Sequence, residues 1–187
     1  VMGCVAKAVD FGYGTVVMQA GEDPGIECEW MSHIIRRIKA ETPLAVTLSL
    51  GERPMEELRA WREAGADRYL LRFETSDRAL YDAVHPPLPG RASDRIAMLR
   101  EIRALGYEAG SGVLIGLPGQ TYRSLAQDVA LFRELDGSST GTVVRAGDAV
   151  APRTVLEAVR EGRLAVAALD GSVRISDGVP MPRSTHH

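Results

Sequence analysis

The sequence of 187 residues has two cysteines and no long hydrophobic run, and each shortage excludes a class of protein. Cys4 and Cys28 allow at most one disulfide, and their spacing matches no metal-knuckle pattern, so we expect free thiols in a reduced, cytoplasmic protein. The apolar stretches are too short to span a bilayer. No charged segment leads into an apolar one at residue 1, so we expect no signal peptide.

Excess positive charge is also missing. A formal net charge of -3 gives no basic field for nucleic acid and no polybasic patch for an anionic membrane, so we expect neither as a partner. No three potential ligands cluster along the sequence, so we predict no zinc-type metal site. Hydrophobic residues make up 45% of the chain and charged residues 25%, which is typical of a globular protein with one core.

Short apolar segments alternate with amphipathic ones as far as residue 136. We predict strands over 15–21, 45–51, 68–74 and 112–117. We predict helices over 30–40, 55–64 and 96–105, and a fourth that Thr121 caps. Strands that are apolar on both faces and followed by helices indicate an α/β protein with a parallel sheet. The similar segments 16–22 and 46–52, which both end in Gly-Glu, lie about one βα unit apart.

Turns rich in glycine, proline and charge follow these strands. Functional groups at the carboxyl ends of parallel strands are typical of a barrel, but an open doubly wound sheet also has its site there. Periodicity alone does not separate the two folds. The stretch 137–141 is linker-like, and we predict that it begins a divergent second part, 137–187. This part is expected to contain a strand over 142–147, a helix over 152–169 and a loose end.

Five ordered segments carry a family resemblance. They are 15–24 (TVVMQAGEDP), 48–53 (LSLGER), 67–75 (DRYLLRFET), 105–108 (LGYE) and 110–121 (GSGVLIGLPGQT). Over about residues 1–136 the chain resembles the radical S-adenosylmethionine enzymes, in particular the HydE type of [FeFe]-hydrogenase maturase, which is related to biotin synthase. The resemblance implies a partial (βα) TIM-type barrel of about four to five βα units. It also implies S-adenosylmethionine as cofactor, a [4Fe-4S] cluster in the parent family, a small-molecule substrate and other hydrogenase maturation proteins as partners.

The resemblance also assigns the cofactor-binding residues. Gly21, Glu22 and Asp23 stand where the family binds the ligand's amino group. Arg72 and Arg95 match the arginines that hold its carboxylate, and a bidentate guanidinium suits that task. Glu74 would orient these arginines or accept from the ligand, and the strand from Gly112 to Gly116 would pack beside adenine.

Structural alternatives exist for several of these residues. Arg72 and Glu74 alternate on one strand, so both are expected on one face, where they could equally form an ion pair inside the barrel. Glycine and glutamate at 21 and 22 could be a simple helix-entry turn. Ser49 and Glu52 are candidate substrate-facing residues, with a solvated loop as the alternative.

The catalytic residues of the family are the cysteines of a C-x-x-x-C-x-x-C loop, and this sequence has no such loop. The resemblance implies a cluster that needs three clustered thiolates, which Cys4 and Cys28 do not supply. Residues 1–11 resemble the end of the first barrel helix, so we expect the loop to precede Val1 in a longer parent. The chain would then be a fragment whose open sheet edges favour a homodimer.

Two alternatives to the maturase remain: a non-catalytic half-barrel scaffold, and a biotin synthase-like or methylornithine synthase-like enzyme. Residues 140–170 resemble instead the C-terminal end of FAD/NAD(P)-dependent oxidoreductases, in which Asp148 would accept from the flavin's ribityl chain. The supporting G-x-G-x-x-G fingerprint is absent, so the sequence does not complete a flavin site.

Overall fold

The computed structural model of the protein describes residues 1–85 and 93–136. Within these residues four parallel strands form one sheet in the order β1-β2-β3-β4. The strands are β1 (Thr15–Gln19), β2 (Ala45–Ser49), β3 (Arg68–Leu70) and β4 (Glu108–Gly110). The helices are α1 (Met2–Asp10), α2 (Cys28–Glu41), α3 (Met55–Glu63), α4 (Arg78–Val84), α5 (Arg95–Ala104) and α6 (Tyr122–Asp136). The predicted α/β class with parallel strands is confirmed.

One face of the sheet is packed against the helices and forms the core. The buried side chains alternate along the second and third strands and their extensions, because successive residues of a strand point to opposite faces. They are Val46, Leu48, Leu50, Tyr69, Leu71 and Phe73. The helices contribute Ile35, Ile38, Leu58, Trp61, Leu99 and Ile102 to the same cluster. Each fully buried aliphatic or aromatic side chain of this kind stabilises the fold by about 1.5–3 kcal/mol.

The opposite face, which we call the inner face, carries no helix in the described part of the chain. The strand register places Val17, Thr47 and Arg68 side by side on it, and Leu70 beside Gly110. The Arg68 guanidinium spans several strands, because its Nη1 donates to Thr15 Oγ1 of β1 at 3.3 Å and its Nε to Glu108 Oε2 of β4 at 2.5 Å. Arg68 of β3 therefore joins β1 to β4 across the inner face.

Two predicted strands differ from the observed ones. The fourth strand was expected at 112–117 but lies at Glu108–Gly110, and beyond it only Val113 pairs, as an isolated bridge to Glu74. Glycines at 110 and 112 weaken the strand pattern there, whereas the apolar run that suggested a strand contains Ile115, which is exposed. The third strand ends at Leu70 rather than at residue 74. Glu74 itself has a positive φ of 65°, which is not a strand conformation.

The predicted helices are confirmed with small changes of their ends. Thr121 caps α6 as predicted, since its Oγ1 accepts from the backbone N–H of Ser124 at 3.1 Å. Helix α4 was not predicted; the Asp77 side chain caps it by accepting from the N–H groups of Ala79 and Leu80. The predicted strand 142–147, helix 152–169 and Asp148 lie outside the described residues. Of the helices described, none has the length and apolar character that crossing a membrane requires.

Asp67, just before β3, ties neighbouring strands together. Its Oδ2 accepts from the backbone N–H of Val46 at 2.7 Å and from Lys39 Nζ at 3.0 Å. Burial acts to raise the pKa of Asp67, but the hydrogen bonds from Val46 and Lys39 and nearby positive charge outweigh it, so the pKa lies below its usual value.

We predict that Asp67→Asn lowers the free energy of unfolding at pH 7 by about 1 kcal/mol, a reduced value because the carboxylate is partly exposed. Because the pKa of Asp67 is lowered in the folded state, its ionised carboxylate stabilises the protein at pH values above the unfolded-state pKa of about 3.9. This stabilisation is lost as the pH falls through the folded-state pKa. Urea denaturation from pH 7 down to about 2.5 should therefore show a difference between the two proteins that is nearly constant above about pH 5 and narrows below it.

The matched control is Glu41→Gln, which breaks an exposed ion pair with Arg37 and should change stability little. A difference between Asp67→Asn and the parent that stays constant over this pH range would contradict the prediction.

Candidate functional site

Polar side chains meet at the carboxyl ends of the strands. Glu22 follows β1, Glu52 follows β2 and Glu74 follows β3. Arg95 is the first residue of α5, a helix that Asp94 caps through the N–H of Ala97. The parallel topology brings the strand ends to one edge of the sheet, and the start of α5 inserts Arg95 among them.

The Arg95 guanidinium is buried and uses all five of its N–H groups inside the chain. Nε donates to Glu52 Oε1 at 2.9 Å. Nη1 donates to the Arg72 carbonyl at 2.9 Å and to Glu74 Oε1 at 3.3 Å. Nη2 donates to Glu22 Oε1 at 2.8 Å and to His85 Nε2 at 2.6 Å. We call Arg95, Glu22, Glu52, Glu74 and His85 the Arg95 cluster.

Arg95 stays charged in this setting. Burial acts to lower the pKa of Arg95, but the hydrogen bond to Glu52 and the acidic groups nearby outweigh it and raise the pKa above its ordinary value. Because a guanidinium has no acceptor, the close contact with His85 requires Nε2 of that imidazole to be the acceptor. Arg95 therefore links the turns after β1, β2 and β3 through one fixed positive charge.

Glu52 is the most buried carboxylate of the cluster, with 4% of the residue exposed. Besides Arg95, Ser93 Oγ donates to its Oε1 at 2.5 Å and the Tyr81 hydroxyl lies 3.5 Å from the same oxygen. Burial raises the pKa of Tyr81, so its hydroxyl remains a donor. The solvated-loop alternative for Glu52 is therefore wrong: the side chain is an internal acceptor that joins α4, α5 and the β2 turn.

Glu22 is held by the turn after β2 as well as by Arg95. Its Oε2 accepts from the backbone N–H of Glu52 at 2.8 Å. This contact depends on Gly51, which has a φ of 74° and lies so close that a Cβ there would be 2.4 Å from the Glu22 carboxyl carbon. Gly51 thus serves both its own backbone conformation and the approach of Glu22.

Arg72 and Glu74 meet, as the spacing predicts, but their surroundings differ. Arg72 Nε lies 3.7 Å from Glu74 Oε1, and its side chain is 58% exposed on the inner face, whereas that of Glu74 is 10% exposed. Glu74 Oε2 is buried without a hydrogen-bond partner among the described residues. The ion-pair alternative and the ligand alternative are therefore compatible, because the Arg72 guanidinium is exposed and one Glu74 oxygen is unpaired.

The remaining predicted residues occupy turns or the inner face. Asp23 Oδ1 accepts from the N–H of Gly25 at 2.8 Å and so shapes the turn after β1. Ser49 ends β2 opposite Gln19 in the register. A Cβ on Gly112 would lie 3.3 Å from Arg72 Cγ and Cδ, so this glycine makes room for the Arg72 side chain.

Glycines 21 and 116 have open space where a side chain would begin, and both have a positive φ (61° and 90°). Their backbone is therefore accessible to a ligand. The structure brings Glu22, Glu52, Glu74 and Arg95 into direct contact and leaves Gly116 apart from that network.

Sequence reasoning missed His85, Tyr81, Ser93 and Gly51. The first two belong to α4 and its end, where no periodic pattern marked a helix, and the imidazole stacks on the Tyr81 ring at 4.7 Å. Tyr81, Ser93 and Arg95 also line a cavity of about 200 Å³. The one available signal was the repeated Gly-Glu after β1 and β2, which placed Gly51 at the same turn position as Gly21.

The Arg95 cluster contains three potential metal ligands. One atom each of Glu22, Glu52 and His85 lies within 4.8 Å of the others. Arg95 donates a hydrogen bond to all three, so its guanidinium provides the positive charge that the group requires. The geometry is that of an internal ion-pair network.

The close approach of Gly51 and Glu22 leads to a second prediction. Gly51→Ala should destabilise the protein by more than the about 1 kcal/mol expected for alanine at a positive φ, because the added Cβ also displaces the Glu22 carboxylate. Gly12→Ala is the matched control, since Gly12 has a φ of 73° and open space around it. Chemical denaturation of both variants measures the difference, and equal losses would show that the contact is unimportant.

Comparisons with known proteins agree with the predicted family. The chain is 44% identical over 134 residues to the [FeFe] hydrogenase maturase subunit HydE of Thermotoga maritima, a match that covers 72% of this chain and 38% of that protein. It is 32% identical over 135 residues to biotin synthase of Magnetococcus marinus, covering 71% of this chain and 41% of that protein. No family model matches the chain.

The fold is similar to that of methylornithine synthase (PylB), whose crystal structure superposes with a TM-score of 0.62 at 24% identity, over 73% of this chain and 41% of that one. At this identity the likeness concerns the fold alone, and it confirms the predicted partial barrel. The chain spans about two fifths of the length of the curated relatives that it matches. Over the matched part, the chain belongs to the radical S-adenosylmethionine family of HydE and biotin synthase.

Proposed function

We propose that this chain is part of a radical S-adenosylmethionine enzyme of the hydrogenase maturase type, and that the strand ends around Arg95 form part of its S-adenosylmethionine pocket. The observation that carries the proposal is the buried, unpartnered Oε2 of Glu74 beside the exposed guanidinium of Arg72. An unpaired buried carboxylate oxygen is costly, which favours a ligand donor at that point.

The charges of the site support a cationic ligand. Glu22, Glu52 and Glu74 bring three carboxylates, against which Arg72 and Arg95 bring two guanidiniums. With Asp23 of the same turn included, the acids outnumber the guanidiniums and the site is net negative. S-adenosylmethionine carries a sulfonium, an ammonium and a carboxylate, so its single net positive charge is complementary to the site.

Each part of the ligand has a candidate partner. Carbonyl groups of Gly21 and Glu22 accept from the ammonium group, and Arg72 binds the carboxylate. Glu74 Oε2 accepts from the ammonium or a ribose hydroxyl, while Asp23 shapes the turn. Adenine lies along the backbone from Gly112 to Gly116, where the two glycines carry no side chain.

The other two predicted residues have indirect or separate roles in this proposal. Arg95 acts through the carboxylates that it holds, since its donors are all engaged. Glu52 supports Arg95 from the buried side. Ser49 remains the candidate for contact with the substrate, because it ends β2 on the inner face.

An iron–sulfur cluster does not fit the residues of this chain. Cluster ligation needs three or more thiolates close together, and the chain has an exposed Cys4 on α1 and a partly buried Cys28 at the start of α2. In the family such a cluster supplies the electron for cleavage of the sulfonium. The role proposed for the residues of this chain is to bind and orient the nucleoside ligand.

The HydE type is favoured over the biotin synthase type by the higher identity, 44% against 32% over almost equal lengths. The proposal includes a small-molecule substrate, contact with other hydrogenase maturation proteins, and a location in the cytoplasm, where the free thiols of Cys4 and Cys28 stay reduced. It also includes association of two copies, because β1 and β4 form the edges of the described sheet.

Calorimetric titration of the chain with S-adenosylmethionine tests the function. We predict binding by the parent chain and an affinity about tenfold or more lower for Arg72→Met, since a hydrogen-bonded ion pair with the ligand carboxylate contributes about 1.5–3 kcal/mol. Arg68→Met is the matched control, because Arg68 lies on the same face at the amino end of β3, whereas Arg72 lies just beyond its carboxyl end. We expect the control to bind like the parent.

Absence of binding by a folded parent chain would refute the proposed pocket. Equal losses in the two arginine variants would show instead that the binding surface is not at the carboxyl end of β3.

A further inference from the structure

We propose that Arg53 is a positioning residue that fixes the turn after β1, residues 21–26, so that its acceptors face the ligand. This inference rests on the proposed function, because the turn is assigned there to the ammonium group of S-adenosylmethionine. Arg53 itself belongs to the turn after β2 and is 7% exposed, so it is too buried to be an ordinary surface arginine.

The contacts of Arg53 are short and directed at the backbone. Nη1 donates to the carbonyl of Asp23 at 2.7 Å and Nη2 to the carbonyl of Ile26 at 2.6 Å. Nε donates to Glu57 Oε2 at 2.7 Å, and the guanidinium carbon lies 5.3 Å from the centre of the Trp61 ring. The guanidinium is thus fixed from α3 and holds the turn at two points.

This arrangement divides the carbonyl groups of the turn into two sets. Those of Asp23 and Ile26 point to Arg53. Those of Gly21 and Glu22 accept no hydrogen bond from any residue that the structure describes. Because Arg53 ties the turn to α3 through the carbonyls of Asp23 and Ile26, it also fixes the positions of the unpaired carbonyls of Gly21 and Glu22.

The planar fork of arginine is required for this function. Two N–H groups on different nitrogens reach two carbonyls while Nε keeps the ion pair with Glu57, and lysine, with a single nitrogen, does not match these three directions. A second arginine of the chain shows the same mode of contact at the other end of the sheet. Arg62 donates to the carbonyls of Gly106 and Ala66 and lies 5.7 Å from the Tyr107 ring.

Arg62 therefore provides a matched control. We would compare Arg53→Lys with Arg62→Lys in binding of S-adenosylhomocysteine and of 5'-methylthioadenosine, which has the same nucleoside and thioether but lacks the amino acid group. Arg53→Lys should weaken S-adenosylhomocysteine binding about tenfold, the value of one charge-assisted hydrogen bond, and leave methylthioadenosine within about twofold. Arg62→Lys should change the ratio of the two affinities little.

Hydrogen–deuterium exchange supplies a readout that does not depend on the ligand. Arg53→Lys should speed exchange of the amides in residues 21–26, whereas Arg62→Lys should leave these amides unchanged. If Arg53→Lys does not fold, Arg53→Gln, which keeps a donor for one carbonyl, replaces it. Loss of folding in both variants while Arg62→Lys folds would show a purely structural residue and overturn the inference.

The remaining outcomes separate the inference from the proposed function. If the parent chain binds S-adenosylmethionine and S-adenosylhomocysteine but Arg53→Lys keeps the parent's ratio of affinities, the inference is wrong and the proposed function stands. If the folded parent chain binds neither ligand, both fail together.

Discussion

The structure around the strand ends depends on one buried guanidinium. Arg95 is 9% exposed and binds three carboxylates that come from three different turns. Removing such a charge leaves its partners buried and uncompensated, which costs far more than a surface ion pair. Because the acids belong to the turns after β1, β2 and β3, the start of α5 fixes the relative positions of those turns. A concave edge with fixed polar groups is the result.

Arginines and acidic residues occur at both ends of the sheet, but they make different kinds of contact at each end. At the amino ends Arg68, Glu108 and Thr15 form a polar bridge across the inner face, and Arg62 holds backbone carbonyls. At the carboxyl ends the arginines organise turns that still offer open acceptors. The difference is that the bridge at the amino end satisfies its own partners, whereas Glu74 keeps one buried oxygen unpaired. The two ends therefore differ in unpaired buried polarity and not only in charge.

The parallel α/β class follows from local patterns in the sequence, whereas the roles of most of the clustered residues came from the family resemblance. Glu22 and Glu52 come directly after predicted strands and Glu74 ends one, and parallel strand ends meet at one edge of a sheet. His85 and Tyr81 could not be predicted in the same way, since α4 is a short helix without an amphipathic pattern. The fourth strand was misplaced because its three residues are Glu108, Ala109 and Gly110, which form no apolar strand pattern, while the apolar segment after it resembles a strand. The role of Gly51 could not be predicted from the sequence, because it depends on a contact with Glu22 that exists only in the folded chain.

Arg72 and Arg95 show why residue type alone does not assign a role in such a pocket. The family resemblance assigns the same role to both, yet every N–H group of Arg95 is engaged inside the chain, while Arg72 has only a 3.7 Å ion pair with Glu74 among the described residues. A ligand carboxylate that approached Arg95 would have to displace Glu22, Glu52 or Glu74, each of them a carboxylate already in place. One that approached Arg72 displaces only water. Replacing a glutamate of the chain by the ligand carboxylate at Arg95 gains little free energy, so we expect the ligand carboxylate to bind Arg72. Arg95 is then the fixed charge around which the glutamates are arranged.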